Sequence, residues 1–264
     1  MTFRELRTAT GLLERDFRAI KHFLLRSTVP LICETESDVG IVGSGCLFDR
    51  DGHLYFVTAG HVLDGTDPEA LGVPLRTKNA EVFSLGTGVV SWSRNDAFDV
   101  AAYRIDDDDA SNALRAAYVI LGPANTAAPS PNNNHFVVAG YPAATVERNG
   151  FDLSTRDLTQ IHTSPYAGDV IGSRGEHDLF LKLKLSAHDL WGNAKAVPKL
   201  PGISGGPVWQ VHQSNALIWT PESALTLVAI QVSCDPRADR YMRALRWEIV
   251  DAVLREVAQS SPST

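Results

Sequence analysis

Cysteine is scarce in this 264-residue chain, occurring only as Cys33, Cys46 and Cys234. An odd number leaves one thiol over in any pairing, so a disulfide framework is not what holds the fold. The expected state is free thiols in a reducing compartment, the cytoplasm. Long apolar runs are missing too. None approaches the roughly twenty residues of a membrane span, and the opening Met1-Thr2-Phe3-Arg4-Glu5-Leu6-Arg7 interleaves charge with apolar residues, unlike a secretory leader. Positive charge is in deficit, with 24 Lys and Arg against 31 Asp and Glu and a net charge of −7. That balance argues against a nucleic-acid partner and against an anionic membrane surface. No metal is expected: the histidines and cysteines show no zinc-ligand spacing. The Asp106-Asp107-Asp108-Asp109 run reads as a solvated loop, because four adjacent carboxylates cannot converge on one ion.

What is present is a succession of short apolar runs divided by turn signals. Residues 2–26 come first and differ from the rest. Phe3, Leu6, Leu13, Phe17, Ile20 and Leu24 recur at helical intervals and predict one helix, whose stripe would dock on a barrel or meet a regulatory partner or a second copy. From Gly40 the pattern changes to strands: 40–48, a hairpin through Asp51-Gly52, 54–58, 80–92 and 99–105. With an opening strand at 31–36 and a short one near Val73, these make six. A polar stretch at 106–134, broken by Tyr118-Val119-Ile120-Leu121, would cross to a second set at 135–141, 151–163, 178–186, 206–212 and 225–233. Tyr118 to Leu121 is assigned as its sixth strand. Met242, Leu245, Ile249, Val253 and Val257 then return to helical spacing. The fold class is all-β: two six-stranded antiparallel barrels with an N-terminal and a C-terminal helix. The expected divisions are 1–28, 29–112, 113–240 and 241–264.

The chemistry concentrates in Leu200-Pro201-Gly202-Ile203-Ser204-Gly205-Gly206-Pro207. A serine hydroxyl is a poor nucleophile near neutral pH. It needs an imidazole to take its proton and a carboxylate to fix the imidazole's tautomer. Thr58-Ala59-Gly60-His61-Val62 offers the histidine at the end of one apolar run, and Phe98-Asp99-Val100-Ala101 offers the carboxylate at the start of another. Asp96 competes for the acid role, but Asp99 abuts the following strand and Asp96 reads as a turn residue beside Asn95. The glycines around Ser204 allow close approach, so the N–H groups of Gly202 and Ser204 would hold an oxyanion. Gly202 to Gly206 also satisfies the G-x-S-x-G of α/β-hydrolases. That fold places its acid and histidine after the serine, and here only His212 follows, on what reads as the next strand.

Taken in order, Gly43-Ser44-Gly45, the Asp51-Gly52 turn, Thr58-Ala59-Gly60-His61, Asp99-Val100-Ala101, Gly202-Ile203-Ser204-Gly205-Gly206-Pro207 and Val232-Ser233 resemble the landmarks of trypsin-like (chymotrypsin-fold) serine peptidases. The Gly-Ser-Gly and Asp-Gly pieces are more similar to the bacterial high-temperature-requirement branch. The resemblance implies a serine endopeptidase acting on protein or peptide substrates without a cofactor. It implies His61, Asp99 and Ser204 as the triad, with the first two on one barrel and the serine on the other. It also implies that Ser233, Cys234 and Asp235 line the substrate, Asp235 being a candidate to attract a basic side chain. The alternative is a non-catalytic member that binds peptides or serves as a scaffold.

Two departures from the family pattern stand out. Trypsins matured by cleavage carry an aspartate before the serine to bind the new N-terminal ammonium, and here that position is Ile203. Ile41-Val42-Gly43 looks like a mature N-terminus, but it runs directly into a strand and reads as core.

Overall fold

Asp51 and Gly52 both adopt positive φ, 54° and 85°, as a two-residue type I′ turn demands. This turn joins β2 (Val39–Arg50) to β3 (His53–Ala59), with Arg50 opposite His53 and Cys46 opposite Val57. The computed structural model describes residues 13–34, 39–64, 66–75, 81–85, 89–95, 98–149, 152–155, 158–172, 174–183, 186–188, 194–196, 200–212, 218–235 and 240–259.

Around this hairpin stand β1 (Val29–Glu34), β4 (Leu71–Pro74), β5 (Val82–Ser84), β6 (Val89–Asn95) and β7 (Val100–Ile105). They form an antiparallel sheet in the order β5-β4-β1-β2-β3-β7-β6. It holds seven segments where six were expected, because the 80–92 run divides into β5 and β6. The second sheet follows the order β11-β8-β15-β16-β17-β12. Its strands are β8 (Phe136–Gly140), β11 (Thr159–Thr163), β12 (Asp178–Lys182), β15 (Pro207–Val211), β16 (Leu225–Cys234) and β17 (Tyr241–Arg246). Two hairpins lie beside it, β9 (Val146–Asn149) with β10 (Asp152–Thr155), and β13 (Ser186–His188) with β14 (Ala194–Ala196). The expected double barrel of antiparallel strands is therefore the architecture, built as two half-barrel sheets.

Two expectations are corrected here. The sixth strand of the second sheet is β17, not Tyr118 to Leu121. Tyr118 and Leu121 are buried against the first barrel, and Leu121 makes a single parallel bridge to Phe48. The stretch from 241, assigned to the closing helix, begins as a strand. Met242 and Ala244, two residues apart, face the second core, and a spacing of three between Met242 and Leu245 does not distinguish a helix from a strand. The Asp run also does more than meet solvent. Asp106 holds Arg104 at 2.8 Å, and Asp107 caps α2 (Asp108–Ala117) by accepting the Ala110 N–H at 2.6 Å. Asp108 and Asp109 then sit in the first turn, where the helix dipole favours negative charge.

The helices brace the barrels. In α1 (Glu14–Ser27), Phe17, Ile20, Phe23 and Leu24 are buried in the main core, so this part of the stripe docks on its own chain; residues 2–12 of the expected helix lie outside the described residues. Burying each such side chain stabilises the fold by roughly 1.5–3 kcal/mol. Phe23 meets Trp209 edge-on at 5.4 Å and Phe17 meets His162 at 6.3 Å. The C-terminal helix α3 (Trp247–Gln259) buries Val250, Val253, Leu254 and Val257 and packs against β7 of one sheet and β16 of the other. Ile41 is core, as expected. All three cysteines are unpaired, and burial pushes the Cys46 thiol up to about 12. Among the described residues no helix is long and apolar enough to cross a membrane.

Burial under α1 pushes His162 down to about 4, well below the usual value near 6.5. The folded chain then binds fewer protons than the unfolded one between those values. Stability is complete above about pH 6.5 and falls as pH drops toward about 4. Thermal unfolding followed from pH 7 to 4.5 should show a declining midpoint, and His162→Leu should flatten the decline. An unchanged slope in the variant would remove His162 as its source.

Candidate active site

Sheet register delivers the first two site residues. Ala59 at the end of β3 pairs with Val100 at the start of β7, so His61 lies two residues beyond one strand and Asp99 one residue before the other. The chain turns at each: Gly60–Leu63 forms a 3-10 turn, and Asp99 sits at φ 58°, a left-handed conformation that aspartate tolerates. Three hydrogen bonds then lock the corner. The Gly60 N–H donates to the Asp99 carbonyl at 3.0 Å, the His61 N–H donates to Asp99 Oδ1 at 2.7 Å, and His61 Nδ1 meets Asp99 Oδ2 at 2.8 Å. With the carboxylate as acceptor, Nδ1 carries the ring proton and Nε2 is left as the basic nitrogen. The competing Asp96 lies outside the described residues.

Ser204 sits on a strap, residues 200–206, whose carbonyls are pinned one after another. Pro201 C=O accepts from Ala143 N–H at 2.8 Å, and Gly202 C=O from the Ser44 hydroxyl at 2.8 Å. Ile203 C=O accepts from Gly206 N–H at 2.9 Å, and Ser204 C=O from Ser44 N–H at 2.8 Å. Gly202 has φ +97° and Gly205 φ +83°, and a Cβ on Gly205 would stand 2.1 Å from the Ser44 carbonyl oxygen and 2.8 Å from Ala59 N. Only glycine brings the strap this close to β3, two residues from His61. The Ile203 N–H closes a turn onto Leu200 C=O at 2.9 Å, with Pro201 and a positive-φ Gly202 at its centre, the type II pattern. Gly205 N–H donates to Gln231 C=O at 2.7 Å.

The outcome is a sorting of donors. The N–H groups of Ile203, Gly205 and Gly206 are used within the protein, whereas those of Gly202 and Ser204 have no acceptor among the described residues. These are the two donors expected to hold an oxyanion. Ile203 itself is 1 % exposed and buried in the second core, so packing anchors the strap where cleavage-activated trypsins use an ion pair.

Beside Asp99 opens a cavity of about 620 Å³, lined in part by Phe98, Ile171, His177, Phe180, Ser233 and Tyr241. Ser233 is exposed to it and Cys234 also lines it. The Asp99 carboxylate, however, takes both of its hydrogen bonds among the described residues from His61, not from Ser233. Asp235 is 1 % exposed and bound to Arg240 Nε at 2.9 Å. The structure places it as the anchor of its own strand end, not as an open charge awaiting a basic side chain. His177 joins Glu248 at 2.7 Å and meets Phe98 edge-on at 5.6 Å, tying α3 to the residue before Asp99. Sequence reasoning missed the 171–180 wall. Gly172 and Gly175 mark it only as a turn, and nothing local places it opposite Phe98.

No protein-family model and no curated protein sequence matches the chain. Solved structures do. The chain is similar to the active form of the Rv3671c protease from M. tuberculosis, with 16% identity, TM-score 0.51, and coverage of 95% of this chain and 88% of that one. It is similar to the apo MamO protease domain from Magnetospirillum magneticum, with 14% identity, TM-score 0.52, and coverage of 88% and 97%. It is also similar to the scabies mite inactivated protease paralogue SMIPP-S-I1, with 13% identity, TM-score 0.54, and coverage of 92% and 97%. At these identities the likeness establishes the trypsin-like protease fold.

The Asp99 hydrogen bonds make a specific expectation. Asp99→Asn keeps the shape but presents an N–H or a weaker acceptor to Nδ1, favouring the wrong tautomer. Hydrolysis of a substrate that the wild type cleaves should fall about a thousandfold or more, with the unfolding midpoint little changed. Retention of activity within tenfold would show that the pair is only structural.

Proposed function

We propose that this protein is a serine endopeptidase. Ser204 Oγ attacks a peptide carbonyl, His61 Nε2 takes the hydroxyl proton and passes it to the leaving amine, and water then releases the acyl group by the reverse sequence. Asp99 holds the imidazole and stabilises its protonated form. The developing oxyanion is received by the Gly202 and Ser204 N–H groups. A single donor of this kind is typically worth about 3 to 4 kcal/mol. The observation that carries the reading is the simultaneous hold of Asp99 on the His61 ring and backbone, next to a strap whose Gly202 and Ser204 N–H groups have no acceptor among the described residues. Substrate backbone would run along Ser233 and Cys234, and a substrate side chain would enter the cavity that Phe98, Ile171, Phe180 and Tyr241 wall together with the charged groups Asp178 and Arg243. The Gly43-Ser44-Gly45 motif supports a leaning toward the high-temperature-requirement style of the family. Unpaired thiols support a reducing compartment, the cytoplasm. A regulatory partner for the N-terminal helix would have to use its outward face, since Phe17, Ile20, Phe23 and Leu24 are taken by the core.

A second reading, a peptide binder without turnover, is favoured by the presence of an inactivated protease among the similar folds. Against it stands the retention of every group that the chemistry uses. Labelling by a fluorophosphonate probe decides between them: the wild type should label and Ser204→Ala should not. A wild type that labels no faster than the variant, yet binds peptides, would establish the binder.

A further inference from the structure

The Ser44 side chain belongs to the first barrel, yet both hydrogen bonds of its hydroxyl are made to residues of the second. It is fully buried. Its hydroxyl donates to Gly202 C=O at 2.8 Å and accepts the Tyr141 N–H at 2.9 Å. Its backbone N–H donates to Ser204 C=O at 2.8 Å, and its own carbonyl accepts the Thr58 hydroxyl at 2.7 Å. A hydroxyl has a single proton, so with Tyr141 N–H as its donor partner the rotor has one setting, aimed at Gly202.

That setting matters because the peptide between Pro201 and Gly202 has two ways to lie. Glycine accepts either sign of φ, so this peptide can turn over, changing the turn from type II to type I at little intrinsic cost. Turned over, it would point the Pro201 carbonyl where the oxyanion belongs and carry the Gly202 N–H away. One pin opposes the turn directly, the Ala143 N–H on the Pro201 carbonyl. A second acts through it: Ser44 Oγ ties the Gly202 carbonyl of the adjoining peptide to Tyr141 N–H. The pins are one device, because the Tyr141 N–H that bonds Ser44 lies two residues before Ala143, on the same segment.

We infer that Ser44 is a positioning residue, whose hydroxyl keeps the Gly202 N–H turned toward the oxyanion before substrate arrives. This rests on the acyl-transfer reading above. It extends that reading by assigning the standing form of the anion site to a side chain that touches neither substrate nor triad side chain. Removing the hydroxyl leaves the Tyr141 N–H and the Gly202 carbonyl buried and unpaired, and the segment that carries Tyr141 and Ala143 loses its tie to the strap, which loosens the Ala143 hold on the Pro201 carbonyl and frees that peptide to turn. A methyl cannot substitute, and a thiol bonds weakly.

The test compares wild type, Ser44→Ala and Ser44→Cys on a peptide that the wild type cleaves, well below each unfolding midpoint. Ser44→Ala should lose about tenfold in kcat with KM within about twofold, and Ser44→Cys should fall between it and wild type. A peptidyl trifluoromethyl ketone, which forms the oxyanion on binding, should lose affinity by the same factor, while the cleavage-product peptide should bind unchanged. A merely structural role would lower the unfolding midpoint without this split. Should Ser44→Ala fail to fold, Ser44→Cys carries the same comparison. A folded variant with wild-type kcat and wild-type ketone affinity, or a loss confined to KM, overturns the inference. If the wild type itself neither labels with fluorophosphonate nor cleaves, the acyl-transfer reading fails and takes this one with it. If the wild type labels and the Ser44 variants label equally fast, only this inference fails.

Discussion

The structure depends on one seam, where β2 of the first barrel is hydrogen-bonded to the strap that carries Ser204 on the second. Ser44 N–H on the Ser204 carbonyl and Ser44 Oγ on the Gly202 carbonyl cross it directly. Thr58, on the neighbouring strand, backs the same residue from behind. The contact is tight enough that a Cβ on Gly205 would collide with the Ser44 carbonyl. Neither sheet alone carries His61, Asp99 and Ser204; the seam joins the two that do.

On the first barrel the controlling quantity is register. With Ala59 opposite Val100, the two chain ends leave the sheet side by side, and the bonds from Gly60 and His61 to Asp99 complete a corner that holds ring, backbone and carboxylate together. A one-residue slip of β7 would turn its side chains to the opposite face and unseat the buried tyrosine and alanines of that strand. The cost of such a slip is what secures the geometry of His61. On the second barrel the controlling quantity is peptide orientation. With the carbonyls of 201–204 pinned in turn, the Gly202 and Ser204 N–H groups on either side of Ile203 have no acceptor among the described residues.

Much of this was legible in the residues. The Asp51-Gly52 turn, the strands that flank it, and His61, Asp99 and Ser204 all carry local signals: positive-φ residues, alternation, and glycines at a point of close approach. Asp99 was separable from Asp96 by its place at the strand end. What failed did so where local pattern is ambiguous. Met242 and Leu245 fit either a strand or a helix, and only the open side of β16 makes 241–246 a strand. Tyr118 to Leu121 has strand composition, yet the first core takes it. The Asp run looked like solvent-facing charge because a helix cap is recognised from the helix after it, and Ser111 to Ala117 is short. Asp235 was open to two readings until Arg240, brought in by the next strand, was seen to occupy it. Ser44 stood out as part of a motif, but its role lies in partners at positions 141 and 202, and no spacing rule connects those.

The most direct measurement is a crystal structure of the chain after reaction with a fluorophosphonate. The account predicts phosphorus bonded to Ser204 Oγ. One phosphoryl oxygen should lie about 2.7–3.1 Å from both Gly202 N and Ser204 N, with the Pro201 carbonyl still on Ala143 N–H and His61 still on Asp99. An adduct whose phosphoryl oxygen faces solvent, with the Pro201-Gly202 peptide turned over, or no adduct at Ser204, would contradict it.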